Sequence, residues 1–205
     1  MIVCPVIYKT KNNWFHHFQQ LDLLSLQATT IGSFGIEKPF MCNGANFAYT
    51  KEIFKKLDGF NGNNKIASGD DVFLLQKAIH SNEKVSYLKH RDVIVKTKPE
   101  NDLFAFFMQR VRWASKTTGY KNNYAKILAI VVLMANLSLI CGLWFVVCGC
   151  LDWKLFLGLF LTKYLVDYIL LFKGNGFLRK AKFLLPIVSS IIYPFYSGFT
   201  GIYSV

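Results

Sequence analysis

The sequence predicts an α/β domain over residues 1–126 followed by a membrane region over residues 127–205, and three observations carry that division. The chain is 53% hydrophobic yet bears a formal net charge of +12, a pairing that membrane proteins with basic cytoplasmic surfaces combine readily. Ile127 to Cys150 runs for 24 residues without a charge, longer than the roughly 20 residues a spanning helix needs. The residues before that run alternate short β-rich stretches with helical apolar spacing. A disordered basic tail would lack the apolar content, and a soluble nucleic-acid module rarely has the positive mean hydropathy found here. No nucleic-acid partner is therefore expected.

Along the first part, Ile2 to Tyr8 reads as a buried strand. Asn13 is placed to cap a helix whose apolar positions Trp14, Phe18, Leu21, Leu24, Ala28 and Ile31 keep helical spacing. Phe47 to Tyr49 is a short strand, followed by a helix over Lys51–Leu57 capped by Thr50. Asp58 and Gly59 close it, and Gly59 to Lys65 is a loop. Asp70 to His80 reads as a helix, Val85–Leu88 and Val93–Val95 as strands. Asn101 to Tyr120 is a helix so crowded with Leu103, Phe104, Phe106, Phe107, Val111 and Trp113 that it suits a bilayer interface.

The second part holds three apolar runs, over 127–150, 155–172 and 183–205, so about three transmembrane helices are expected. Lys163 and Asp167 interrupt the second run four residues apart, a spacing that lets them pair on one helical face. The third run is broken by Pro186 and Pro194 and reads equally as a kinked span or a re-entrant segment. Lys116, Lys121 and Lys126 precede the first run, and Lys173, Arg179, Lys180 and Lys182 follow the second. By the positive-inside rule residues 1–126 and 173–182 are cytoplasmic and 151–154 outside. A multi-pass protein with its soluble part in the cytoplasm, in a bacterial inner membrane, is the expected placement. Residues 1–30 show no basic stretch leading into an apolar core, so no cleavable leader is read there. The five cysteines are odd in number and form no CxxC pair, which argues against a disulfide framework or a zinc site.

Three constellations offer chemistry, and each has a plainer alternative. Ser68-Gly69-Asp70-Asp71 opens a helix after a loop. An acid there can take a proton from a hydroxyl, but Ser68 with Asp71 is also a capping box. Gln109-Arg110-Val111-Arg112-Trp113 sets an amide, a guanidinium and an indole along one helix. Arg matches phosphate oxygens and Trp offers a face to a sugar ring, or the same residues anchor an interfacial helix. Arg110, about 200° around the helix from Arg112, is expected to meet solvent or headgroups. Cys42-Asn43-Gly44 lies in a small-residue turn that allows a ligand close to the backbone, or merely precedes a strand.

In order, these motifs run Cys-Asn-Gly-Ala-Asn, Leu57-Asp58-Gly59-Phe60, Gly69-Asp70-Asp71, Thr97-Lys98-Pro99 and QxxRW at 109–113, then apolar helices. The series resembles the C-terminal half of membrane-bound family 2 glycosyltransferases, the group that includes cellulose and hyaluronan synthases. The resemblance implies a partial GT-A-type domain with an incomplete sheet. It also implies inverting transfer of a sugar from a nucleotide-sugar donor to a saccharide or lipid acceptor, as in polysaccharide biosynthesis by hexosyltransferases. By position, Asp71 matches the base that deprotonates the acceptor, and Asp70 stands where Glu is usual. Gln109, Arg112 and Trp113 match the motif holding the diphosphate and bordering the acceptor, and Cys42, Asn43 and Gly44 the acceptor-facing turn. A divalent metal, Mg²⁺ or Mn²⁺, is implied as well, but its DxD ligands are absent, since no Asp-x-Asp occurs in the 205 residues. The chain is accordingly expected to be a fragment, inactive alone, with a separate chain or segment supplying the donor half. The alternatives are a non-catalytic membrane subunit or interaction protein retaining a glycosyltransferase remnant, and a basic lipid-binding protein.

Overall fold

The computed structural model describes residues 1–62, 69–115, 119, 122–179 and 186–204. The first expected strand is split in two, β1 over Ile2–Val3 and β2 over Val6–Tyr8. Pro5 lies between them and has no N–H to give to a ladder. A helix α1 over Trp14–Gly35 follows, then a 3₁₀ turn over Gly44–Asn46, β3 over Phe47–Ala48 and α2 over Lys51–Lys56. Next come α3 over Asp70–His80, β4 over Ser86–Tyr87, β5 over Val95–Thr97 and α4 over Leu103–Ser115. Three long helices close the chain, α5 over Asn123–Val147, α6 over Trp153–Leu178 and α7 over Pro186–Tyr203.

The expected helix starts are met where a side chain supplies the missing acceptor. Asn13 Oδ1 accepts from the His16 amide at 2.7 Å, and Thr50 Oγ1 from that of Ile53 at 3.3 Å. The capping box at α3 is different. Ser68 lies outside the described residues, and the residue before the helix is Gly69, at a left-handed φ of 103°, with no side chain to cap with. The expected strand at 93–95 is displaced to Val95–Thr97, because the Val95 amide follows the Pro5 carbonyl at 3.2 Å.

The sheet is small. β1 pairs antiparallel with β3 and parallel with β4, with Val3 opposite Phe47 and Tyr87, while β2 pairs parallel with β5 from Val6↔Val95 to Tyr8↔Thr97. An incomplete sheet would leave open edges, but the edge of β2 is closed. Its free amides are taken by α1, where Gln27 Oε1 accepts from Val6 at 3.0 Å and Gln20 Oε1 from Tyr8 at 2.9 Å. Both glutamines are buried. They satisfy N–H groups that would otherwise lie unpaired in the interior, where each costs about 1–3 kcal/mol.

α1 also carries the helical region. α6 crosses it so closely that a Cβ on Gly174 would stand 2.9 Å from that of Ala28, and Ile7, Leu21, Leu24, Leu171 and Leu178 bury one another at this crossing. Arg91 ties the same end of α6 to the sheet by donating to the Gly176 carbonyl at 2.7 Å. The inner turns of α6 are therefore held by protein, whereas Leu155, Leu161, Leu165 and Val166 on its outer turns are exposed.

α5 and α6 are each long and apolar enough to cross a membrane. Within α6, Lys163 Nζ meets Asp167 Oδ2 at 2.5 Å, as their spacing predicts. The expectation of about three such helices is met by two among the described residues. α7 contains Pro194 among its 18 residues. One side of it packs on α5, where Gly198 and Gly201 face Ile140 and Leu133. The other side exposes Ile187, Ile191, Phe195, Phe199 and Ile202 as an apolar stripe.

Candidate active site

Two groupings of the sequence-predicted residues form. The first joins the turn before β3 to the start of α3. Cys42 is buried in a core cluster with Val3, Phe40, Val72, Phe73 and Leu75, so its side chain anchors the turn. Asn43 Oδ1 accepts from the Ala45 amide at 3.0 Å and starts the 3₁₀ turn. The Gly44 amide then donates to Asp71 Oδ2 at 2.6 Å. Asp71 Oδ1 accepts from the amide of Val72 at 2.9 Å. Both carboxylate oxygens thus hold a backbone N–H, which fixes the plane of the group while it stays half-exposed. The fit is tight: a Cβ on residue 44 would lie 3.1 Å from Asp71 Oδ2. Asp70 precedes it on the first turn of α3 and is exposed.

Behind α3, Lys77 holds the preceding loop. Its Nζ donates to the carbonyls of Gly59 at 2.8 Å and Asn61 at 2.7 Å, with Leu57 at 3.3 Å. Three carbonyl dipoles converging on one ammonium fix the path of residues 57–61 on the way to Asp70 and Asp71.

The second grouping lies on α4, and it corrects one expectation. Arg110 does not meet solvent: its side chain is 5% exposed and pairs with Asp22 of α1, itself 4% exposed, at 2.5 Å. Arg112 is the exposed arginine. At 100° per residue Trp113 lies about 60° from Arg110 and about 100° from Arg112, so the indole sits nearer the former. The face bearing Arg110 packs on α1 and α7 instead of facing lipid. There Phe106, fully buried, meets Phe15 and Phe18 edge-on and stacks on Tyr196 at 5.1 Å. The Arg110 guanidinium lies 4.6 Å from the Phe106 ring centre and 4.1 Å from that of Trp113.

Gln109 is held on both ends of its amide. Its Oε1 accepts from Arg110 Nη1 and, at 3.4 Å, from the Tyr8 hydroxyl, and its Nε2 donates to Glu100 Oε1 at 2.5 Å. Glu100 is fixed in turn, its amide and carbonyl exchanging hydrogen bonds with Gln19 at 2.9 Å each. Burial alone would lower the pKa of Arg110, but the Asp22 carboxylate and the Tyr8 hydroxyl outweigh it, and the guanidinium stays protonated. Burial likewise pushes the Tyr8 hydroxyl up, against the pull of Arg110.

Asp22, Tyr8 and Glu100 were not singled out from the sequence as site residues. One signal was available: Asp22 is the sole acid or base, histidines aside, in the 22 residues of α1, set between Leu21 and Leu23. A lone acid on the apolar face of a buried helix needs a cation from elsewhere in the chain.

Among the described residues, no group of three or more His, Cys, Asp or Glu side chains could hold a metal ion. The Asp70–Asp71 pair therefore does not by itself fit the divalent site that the resemblance implies. What the geometry does provide is a half-exposed carboxylate with a fixed plane, and a helix on which an exposed arginine flanks an amide and an indole. No curated protein and no solved structure matches the chain. The family description "Glycosyl transferase family group 2" matches residues 1–196 of its 205, and the chain belongs to that family of glycosyltransferases.

Proposed function

We propose that the chain acts in a membrane-bound inverting glycosyltransferase of the kind found in cellulose and hyaluronan synthases. It would pass a sugar from a nucleotide-sugar donor to a saccharide or lipid acceptor. The observation that carries this reading is the 2.6 Å bond from the Gly44 amide to Asp71 Oδ2. It brings the acid that the family pattern assigns to proton removal against the turn assigned to the acceptor. Asp71 takes the proton of the acceptor hydroxyl as its oxygen attacks the anomeric carbon, and the bond to the nucleoside diphosphate breaks on the opposite face. Asp70 borders the same approach. Arg112, exposed on α4, supports the diphosphate as charge develops on it, and Trp113 and Gln109 border the acceptor. The metal carboxylates of the donor half would come from outside these 205 residues, and no step here runs through them.

In this reading α5 and α6 span the bilayer. The exposed Leu103, Phe104 and Met108 of α4 lie at its cytoplasmic interface. The test is Asp71→Asn in membranes where the chain is expressed with a donor-binding half and transfers sugar. The amide keeps the shape of the side chain and loses its basicity. Transfer should vanish while membrane insertion persists. Retained transfer would remove Asp71 from the role of base.

A further inference from the structure

We infer that Arg110 is a positioning residue for the transfer reaction, held by Asp22 and acting through Gln109 and Trp113 on the face of α4 that meets substrate. The inference rests on the glycosyltransferase reading above, but it assigns a role to a buried pair that the family pattern leaves open. Arg110 makes three kinds of contact at once. Its Nε donates to Asp22 Oδ2, its Nη1 to Gln109 Oε1, and its plane lies between the rings of Phe106 and Trp113. A guanidinium alone can do this, because its donors point in different directions from one rigid plane. Nη2 is buried without a hydrogen-bond partner among the described residues.

The geometry fixes direction. With Oε1 of Gln109 taken by Arg110, its Nε2 is turned to Glu100, and the indole of Trp113 cannot rotate without leaving the guanidinium. Asp22 sets where the guanidinium sits, and its charge also reaches the Tyr193 hydroxyl of α7, while Tyr196 of α7 meets both Phe18 of α1 and Phe106 of α4. The chain of contacts runs from α7 through α1 to α4, so the pitch of α4 is referenced to the helices at its back. Lys163 of α6 extends the chain, lying 5.7 Å from the Tyr193 ring centre.

A purely structural ion pair can be replaced by apolar residues of similar volume with little loss of stability, and that separates the two roles. The variant Asp22→Leu/Arg110→Met should unfold near the wild-type temperature in detergent. In membranes expressing the chain with a donor-binding half, its kcat should fall roughly a hundredfold, the scale of a misplacement of about 1 Å, with donor KM little changed. The side-chain amide of Gln109, assigned in ¹⁵N spectra by its loss in Gln109→Leu, should exchange faster in the double variant. Wild-type kcat in the stable double variant, or an unchanged Gln109 amide, would overturn the proposal. If the double variant does not fold, Arg110→Lys decides: it keeps the charge beside Asp22 but not the planar fork that reaches Gln109 at the same time, and wild-type kcat there would overturn the proposal equally. If the wild-type chain transfers no sugar even when expressed with the donor-binding half, the glycosyltransferase reading falls. The Gln109 amide then still reports whether Arg110 holds it.

Discussion

The Gly44 amide and the Asp71 carboxylate, 27 residues apart, are joined at 2.6 Å. The contact leaves little room for a side chain on residue 44, because the first atom of one would stand 3.1 Å from the acceptor oxygen. The turn and the acid helix are therefore coupled, and a side chain on residue 44 would press on the Asp71 carboxylate.

Gly44→Ala should displace the Asp71 carboxylate by a few tenths of an ångström, turning its plane away from the acceptor. The turn is at the surface, so stability should change by no more than about 0.5 kcal/mol. Sugar transfer should fall well beyond what that loss explains, by roughly tenfold or more, since a misplacement of about 1 Å costs near a hundredfold. Transfer kinetics set beside a thermal melt of the same variant check this. Full activity with an unchanged melt would mean the turn does not border the reacting hydroxyl.

The topology gives a second expectation. Residues 151–154 should be outside and 173–179 cytoplasmic, because Lys173 and Arg179 sit at the end of α6 that packs on α1. Single-cysteine variants at Leu151 and Lys173, in a chain freed of its native thiols, should label oppositely with an impermeant maleimide in intact cells. Labelling of Lys173→Cys from outside would invert the arrangement.

Much of the local structure was legible because its causes are local. Asn13 and Thr50 announce helix starts within three residues of the amides they cap. The Asp70–His80 helix is bounded as its apolar spacing predicts. What could not be read lies in side chains that meet across long separations. Nothing in the spacing of Gln20 and Gln27 says that they close the edge of β2, 12 and 21 residues away. Arg110 finds Asp22 at a separation of 88 residues. On α4 the helical angle between residues 110 and 112 was legible, but which side faces protein depends on where α1 and α7 lie. The functional residues divide the same way. The family pattern points to Asp71, Arg112 and Trp113, whereas the groups that hold Gln109 in place come from β2, from α1 and from the segment before α4.

The buried pair yields a third prediction. Asp22→Ala leaves the Arg110 guanidinium in the interior with its main counter-charge gone. Breaking such a pair from one side costs about 3–5 kcal/mol. The chain in detergent should therefore melt far below wild type, and Asp22→Asn, which keeps an acceptor, should fall between the two. Equal melting of all three would show that the pair is solvated.

The two arginines of α4 should separate by the kind of damage that their loss does. Arg112 is exposed, with no acid against it among the described contacts, so Arg112→Ala should leave the melt within about 0.5 kcal/mol of wild type. If it supports the diphosphate, the same change removes a charge-assisted contact that strengthens toward the transition state, worth about 2.7–4 kcal/mol, or a hundred- to thousandfold in rate. Arg112→Lys should recover little, because a point charge cannot reproduce the planar fork. Arg110→Ala should instead lower stability first, as it abandons Asp22 at 4% exposure, and its activity should be lost along with the fold. The measurement is a melt and a transfer rate on each variant, in the same membranes. A folded Arg112→Ala protein with the wild-type rate would strip Arg112 of its catalytic role and leave it an anchor at the bilayer surface. The exposed side of α4, with Phe104 at 74% exposure, would then be explained by lipid contact alone.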